Sequence, residues 1–170
     1  LQQALLCIDA GKPVLVEKPF ACNAEEAGLI KAASQSKGVF CMEAMWTRFL
    51  PLLQHVRQMI DSGSLGDIRL MSGSFCMAEQ PGEANHLFDP DLGGGALLDR
   101  AVYPISLALY LLGRPEAYSG QVLVGASGVD EQKLAKGHDL SAIALLLQSR
   151  CKTMSEMAQQ SLWLYQPLLP

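Results

Sequence analysis

Ala4, Leu5 and Ile8 recur at helical spacing and Gly11 follows them, which predicts a helix over residues 1–10 with glycine as its stop. Val14-Leu15-Val16 is an unbroken apolar run, too short for a helix, and predicts a buried strand. Asn23-Ala-Glu-Glu26 then carries a helix-start signal. The Asn23 side chain accepts from a first-turn N–H, and Glu26 reaches back in the manner of a capping box. Ala27, Ile30 and Ala33 give that helix one inward face, Gly38 ends it, and Val39–Met42 predicts a second strand. Strand, helix and strand in this order form the βαβ unit of a parallel sheet.

Further on, Pro51 opens a helix that runs to about Ser62, with Gly63 closing it. Ile68 to Met77 alternates as a strand, weakened at Gly73. Residues 78–92, rich in Pro, Gly, Asn and Asp, predict a loop. Gly93-Gly94-Gly95 leads into a helix from Ala96 to Leu112, ended by Gly113 and Pro115. Pro104 lacks an N–H, so this helix is expected to start or kink near Tyr103. Val122–Val124 predicts a strand, Leu140–Leu147 fits strand or helix equally, and residues 153–165 predict a helix.

Composition narrows the class. With 49% hydrophobic and 18% charged residues, the 170-residue chain has the balance of a globular protein. A net charge of −4 with no basic stripe argues against a nucleic-acid surface. Cys7, Cys22, Cys41, Cys76 and Cys151 form no CxxC pair, and the odd count fits reduced thiols in a cytoplasmic protein; no metal site is expected. The apolar first ten residues lack the basic flank of a signal peptide. The longest apolar run, Leu92 to Leu112, contains Asp99, Arg100 and Pro104, so it is read as a core helix and no membrane contact is expected.

Two places carry candidate chemistry. Glu17-Lys18-Pro19 follows a buried strand directly, and the carboxyl ends of parallel strands are where such sheets bind ligands. Proline restricts Lys18 to extended geometry, which aims its amine, and the Lys18–Pro19 bond is a candidate for the cis form. The bland alternative is a solvated surface lysine. Asp99 and Tyr103, four residues apart, share a helix face and can hold a phenol for proton transfer. The alternative is that Tyr103 packs and Asp99 caps the first turn. Trp46 and Arg48 follow a strand end and can flank a planar ligand or simply pack. Gly93–Gly95 lacks the spacing of a phosphate loop, and close backbone approach is enough to explain it. His55, His86 and His138 are too dispersed for a triad; His86, near Asp89, is read as a loop residue with substrate contact as the alternative.

Several segments together resemble the glucose–fructose oxidoreductase/inositol dehydrogenase family. They are Ala10-Gly-Lys-Pro-Val-Leu-Val-Glu-Lys-Pro19, Met42-Glu-Ala-Met-Trp-Thr-Arg-Phe-Leu-Pro51, Gly63-Ser-Leu-Gly-Asp-Ile68, Gly93-Gly-Gly-Ala-Leu-Leu-Asp-Arg-Ala-Val-Tyr-Pro104 and Gly128-Val-Asp-Glu-Gln132. The resemblance covers roughly residues 1–132, and Tyr103 stands where many relatives carry histidine. It implies an α/β fold: the remnant of a Rossmann parallel sheet, then an α+β domain with a mainly antiparallel sheet. Residues 1–50 would be the C-terminal part of a Rossmann-type NAD(P)-binding domain, and residues 51–170 a substrate and dimerisation domain.

The implied function is hydride transfer between NADP or NAD and the CH–OH group of a sugar or diol. Lys18 and Tyr103 would handle the proton, with Asp99 in support. Glu17, Lys18, Pro19, Trp46 and Arg48 would meet the cofactor. The intact family member would be a homodimer. Three departures qualify the match, one being that from about Lys133 onward the family's remaining sheet strands find no counterpart. The opening strand and Gly-rich nucleotide turn are absent from these residues, so negligible hydride transfer is expected of this chain alone. Arg100-Ala101 stands where a small apolar residue and glycine are usual. An inactive truncated relative serving as a binding or oligomerisation module is the alternative, and a partial reading frame is a third.

Overall fold

The computed structural model describes residues 1–77, 79, 85–115, 117–138, 142–148 and 163–165. The chain divides into two compact units, Leu1–Met45 and Trp46–Pro170, where the sequence pattern places a boundary at 50/51.

In the first unit, helix α1 (Gln2–Asp9) precedes strand β1 (Val14–Val16), helix α2 (Ala24–Lys37) and strand β2 (Cys41–Glu43). β1 and β2 pair in parallel, with Val14 opposite Cys41 and Val16 opposite Glu43. This is the expected βαβ unit from which Rossmann sheets are built. Ala4, Ile8 and Ile30 are buried, and Val14, Val16, Phe20 and Cys41 pack against them. The Asn23 side chain accepts from the Glu26 N–H at 2.9 Å, as predicted. Glu26 departs slightly from the box: its carboxylate takes the N–H of Cys22 at 3.2 Å, one residue ahead of the cap. Gly38 ends α2 in the left-handed region, φ 63°.

The second unit opens with a 3₁₀ turn, Trp46–Phe49, and helix α3 (Pro51–Asp61), which has proline at its N-terminus. Strand β3 (Leu70–Cys76) follows. The predicted loop contains 3₁₀ turns at Asn85–Phe88 and Pro90–Leu92 among its described residues. A π turn, Leu97–Ala101, then runs into helix α4 (Val102–Leu112). The kink expected at Tyr103 thus takes the form of a wider winding just before Pro104. Proline leaves the Arg100 carbonyl without an α-helical donor and crowds it sterically, and a π turn relieves both.

Strands β4 (Ala117–Val124), β5 (Asp130–His138), β6 (Ala142–Gln148) and β7 (Trp163–Tyr165) complete a five-stranded sheet in the order β4–β5–β6–β3–β7. Its pairs are antiparallel except β3 with β6. The ambiguous Leu140–Leu147 segment is resolved as strand over 142–147. The helix expected over 153–165 is corrected at its end, because Trp163–Tyr165 pairs with β3 as a strand; residues 153–162 lie outside the described residues. Short apolar runs do not distinguish helix from strand, and here ladder pairing decides.

Met71, Ala101, Ala108 and Leu111 form the buried centre of this unit. Pro90–Leu112 is long and apolar enough to cross a membrane by composition. It nonetheless sends Ala101, Ala108 and Leu111 into that protein core. Arg57, on α3, donates to the Tyr110 and Leu111 carbonyls at the end of α4, which a helix leaves unsatisfied. Its Nε also donates to Asp61 at 2.9 Å, and that bond raises the guanidinium pKa further.

Candidate functional site

Each unit presents one chemistry-bearing cluster. In the first, β1 and β2 end together, and Ala44 N–H donates to the Val16 carbonyl at 2.7 Å. The Glu17–Lys18–Pro19–Phe20 turn springs from that end. The Lys18–Pro19 peptide is cis. The Lys18 N–H donates to the Glu17 carboxylate at 3.2 Å, and the Phe20 N–H donates to Glu43 Oε1 at 3.0 Å. Pro19 has no N–H, so each backbone donor from 18 to 20 ends on a carboxylate. The Phe20 ring anchors the far side of the turn by packing on the core below. Lys18 is therefore half-buried on a turn that is held at both ends.

Glu43 was not singled out from the sequence, although it lies in the quoted Met42–Pro51 segment. Its role depends on β2 lying beside β1, a pairing 23 residues apart that no local pattern encodes.

In the second unit, Tyr103 opens α4 between two aromatic rings. Trp46 meets it edge-on, with centroids 6.3 Å apart and an interplanar angle of 67°. Phe75, from β3, lies 5.5 Å away at a tilt of 49°. Such arrangements align the positive edge of one ring with the negative face of the next. Trp46 is 58% exposed and Phe75 37%, so this cluster is a surface that a ligand can reach.

Arg48 is turned elsewhere. Its Nε donates to the Ser106 hydroxyl at 2.8 Å, and its guanidinium lies 5.9 Å from the Tyr110 ring centroid. Of the two roles open to it, packing is the one these contacts describe: Arg48 fastens the Trp46–Phe49 turn to α4.

Asp99 lies in the π turn and pairs with Arg100. The capping role weighed for Asp99 falls to another residue. Leu97, at the start of the π turn, donates its N–H to Asp130 Oδ2 at 2.7 Å. Asp130 reaches it from the first position of β5, just after the 125–129 hairpin turn. The same carboxylate explains Gly95, whose φ is +113° and where an added Cβ would strike Asp130. Gly94 is pressed on the carbonyls of His86, Asp89 and Leu87, which a Cβ would meet at 2.6–2.8 Å. The glycine run is therefore a close backbone approach, not a phosphate loop. The His86 side chain is exposed, and what the residue brings to this junction is its carbonyl.

Arg100 donates from Nη2 to Glu79 Oε1 at 3.0 Å and lies 5.9 Å from the Phe75 ring centroid. No local pattern marks the roles of Phe75 and Glu79, and Asp130 stands out only as part of the Gly128–Gln132 segment, because each acts across a long separation. The one signal available was the unusual Arg100.

Residues 53–160 match the family described as the GFO/IDH/MocA C-terminal domain. Trans-1,2-dihydrobenzene-1,2-diol dehydrogenase of Mus musculus is 36% identical over 132 residues, 75% of this chain and 38% of that protein. The scyllo-inositol 2-dehydrogenase (NADP(+)) of Bacillus subtilis (strain 168) is 36% identical over 135 residues, 76% of this chain and 40% of that protein. A solved 3-ketoreductase from Actinomadura kijaniata, in complex with NADP and TDP-benzene, superposes with a TM-score of 0.80 at 27% identity, covering 88% of this chain and 47% of that one. The chain spans about two fifths of the length of the curated relatives it matches.

Proposed function

Because the chain belongs to the GFO/IDH/MocA family, we propose that it serves hydride transfer between NAD(P) and the CH–OH carbon of a sugar or diol. The observation that carries this reading is Tyr103, set between Trp46 and Phe75 on an accessible aromatic surface in the second unit. Tyr103 and Lys18 hold and move the hydroxyl proton, as general acid–base catalysis of a carbinol requires. Asp99 supports Tyr103 from the preceding turn. The apolar faces of Trp46 and Phe75 receive the C–H surface of the substrate.

Bound NAD(P) supplies the hydride acceptor, and the protein's part is to orient it. The Glu17–Lys18–Pro19 turn fits the nicotinamide end, since it stands at the carboxyl end of a parallel strand pair with its backbone donors already engaged. We assign Glu17, Lys18, Pro19 and Trp46 to that end, with Arg48 acting through the turn it fastens. No Gly-x-Gly-x-x-Gly run occurs in the 170 residues, so pyrophosphate recognition is assigned to none of them. Residues 1–50 are assigned to the nucleotide-binding domain and 51–170 to the substrate and dimerisation domain. The free thiols at Cys7, Cys22 and Cys41 suit a cytoplasmic setting.

A second reading has its own observation. Val122, Leu123 and Val124 of β4, at the edge of the five-stranded sheet, are 54–56% exposed, which suits edge pairing with a second copy of the chain. In the enzyme this is a homodimer contact. In the alternative, assembly is the whole function.

Fluorescence titration of NADPH and NADH into the purified chain separates the two. The enzyme reading expects saturable binding that weakens in Lys18→Met. Absence of binding by either nucleotide, with concentration-dependent self-association retained, would overturn it in favour of the assembly module.

A further inference from the structure

Helix α4 is apolar except along one stripe. Tyr103, Ser106 and Tyr110 are the residues of Val102–Leu112 whose side chains carry an oxygen, and their helical spacing places them on one face. The Trp46–Phe49 turn meets that stripe twice. Trp46 lies edge-on to Tyr103. Arg48, farther along the same turn, donates from Nε to the Ser106 hydroxyl at 2.8 Å and from Nη2 to the Ser106 carbonyl at 3.5 Å. The same guanidinium stands 5.9 Å from the Tyr110 ring centroid. Ser106 is 6% exposed, and a hydroxyl at that depth needs a partner. No side chain of the turn is buried, and Trp46 itself is 58% exposed. A short 3₁₀ turn without a buried anchor does not hold an aromatic ring in place by packing alone. The Arg48–Ser106 pair supplies an anchor from α4.

From this arrangement we infer that Ser106 is a positioning residue: by holding Arg48 it fixes the Trp46 ring against Tyr103 and so sets the shape of the aromatic surface. Helix stability does not call for the hydroxyl, since alanine is the better helix former at an interior position. Arginine suits the other end of the pair. Its planar fork meets a hydroxyl and a carbonyl while facing a ring, which a lysine ammonium does not reproduce. Arg48 is exposed over the rest of its surface, so loss of the Ser106 hydroxyl leaves the guanidinium hydrated and strands no buried charge. The pair therefore governs where Trp46 stands more than whether the unit folds. That Trp46 meets substrate rests on the carbinol reading above; its placement through Ser106 does not.

Acrylamide quenching of Trp46 fluorescence tests this in the full chain carrying Trp163→Phe, which leaves Trp46 as its one tryptophan. Ser106→Ala is expected to raise the quenching constant about 1.5-fold with the thermal midpoint held, the ceiling being set by a ring already 58% exposed. Ser106→Thr returns the hydroxyl and is expected to restore the parent value. Arg48→Lys changes the exposed end of the pair, leaves the core alone, and is expected to match Ser106→Ala. Unchanged quenching in either Ser106→Ala or Arg48→Lys overturns the link to Trp46. A gain that Ser106→Thr does not reverse, or one that tracks a falling midpoint, makes Ser106 a packing residue and overturns the positioning role. No nucleotide or sugar is present in these measurements, so failure of the carbinol reading moves none of them.

Discussion

Lys18 and Tyr103 are held by different means. Lys18 rides on a four-residue turn whose N–H groups are bound by Glu17 and Glu43, with Phe20 sunk into the core beneath. Tyr103 is held by aromatic packing. It is placed by the winding of a helix around Pro104 and by rings from two other segments, Trp46 and Phe75. The first arrangement is hydrogen-bonded and short-ranged across one strand pair. The second is assembled from side chains whose positions depend on the whole sheet. An amine that must be aimed is served by the former, and a surface that must fit a substrate by the latter.

The largest test of this contrast removes the floor under the Lys18 turn. Ile30→Ala hollows the core on which Phe20 packs, and a fully buried isoleucine lost in this way costs about 2–5 kcal/mol. Denaturant melts should shift accordingly, with hydrogen exchange rising in Val14–Val16 and Cys41–Glu43. On the other side, Asp130→Ala deprives the Leu97 N–H of its cap and is expected to cost about 1–2 kcal/mol. Asp130→Asn, which keeps an acceptor oxygen, should recover most of that in a thermal melt. A smaller effect, about 1 kcal/mol, is expected for Glu43→Ala, with Glu43→Gln close to the parent. Equal losses in the Ala and Gln variants would show that the Phe20 bond does not hold the turn.

The smallest effect is a pH dependence. Burial pushes the Cys41 thiol above its ordinary value. The folded state thus keeps this proton more tightly than the unfolded chain does. The resulting stability is present in full below the ordinary cysteine value of about 8.5 and is lost as pH rises through the folded one. Iodoacetamide should label exposed Cys22 well before Cys41 at mildly alkaline pH. Equal labelling rates would contradict the burial.

What could be read in advance follows the same division. Asn23, Gly38, Pro51 and the strand–helix–strand order were legible because caps, stops and short apolar runs act within a few residues. So was the Lys18 turn, announced by its own Glu-Lys-Pro. The settings of Tyr103 and Arg100 were not, since Trp46, Phe75 and Glu79 arrive from distant segments. Asp130 was hidden for the same reason, and the capping role fell on Asp99 only because Asp99 was nearer in sequence. Trp163–Tyr165 was misread as helix because its partner strand lies about ninety residues earlier.

The central claim is that Tyr103 handles the proton of an NAD(P)-linked carbinol oxidation, and Tyr103→Phe tests it most directly. The ring, and so the packing against Trp46 and Phe75, is kept while the hydroxyl is lost. Assayed in a complete enzyme of the family that carries these residues, turnover of sugars and diols, followed as reduced nicotinamide, should fall about 10²–10³-fold with NADPH affinity unchanged. Turnover equal to that of the parent would take the proton away from Tyr103 and contradict the account.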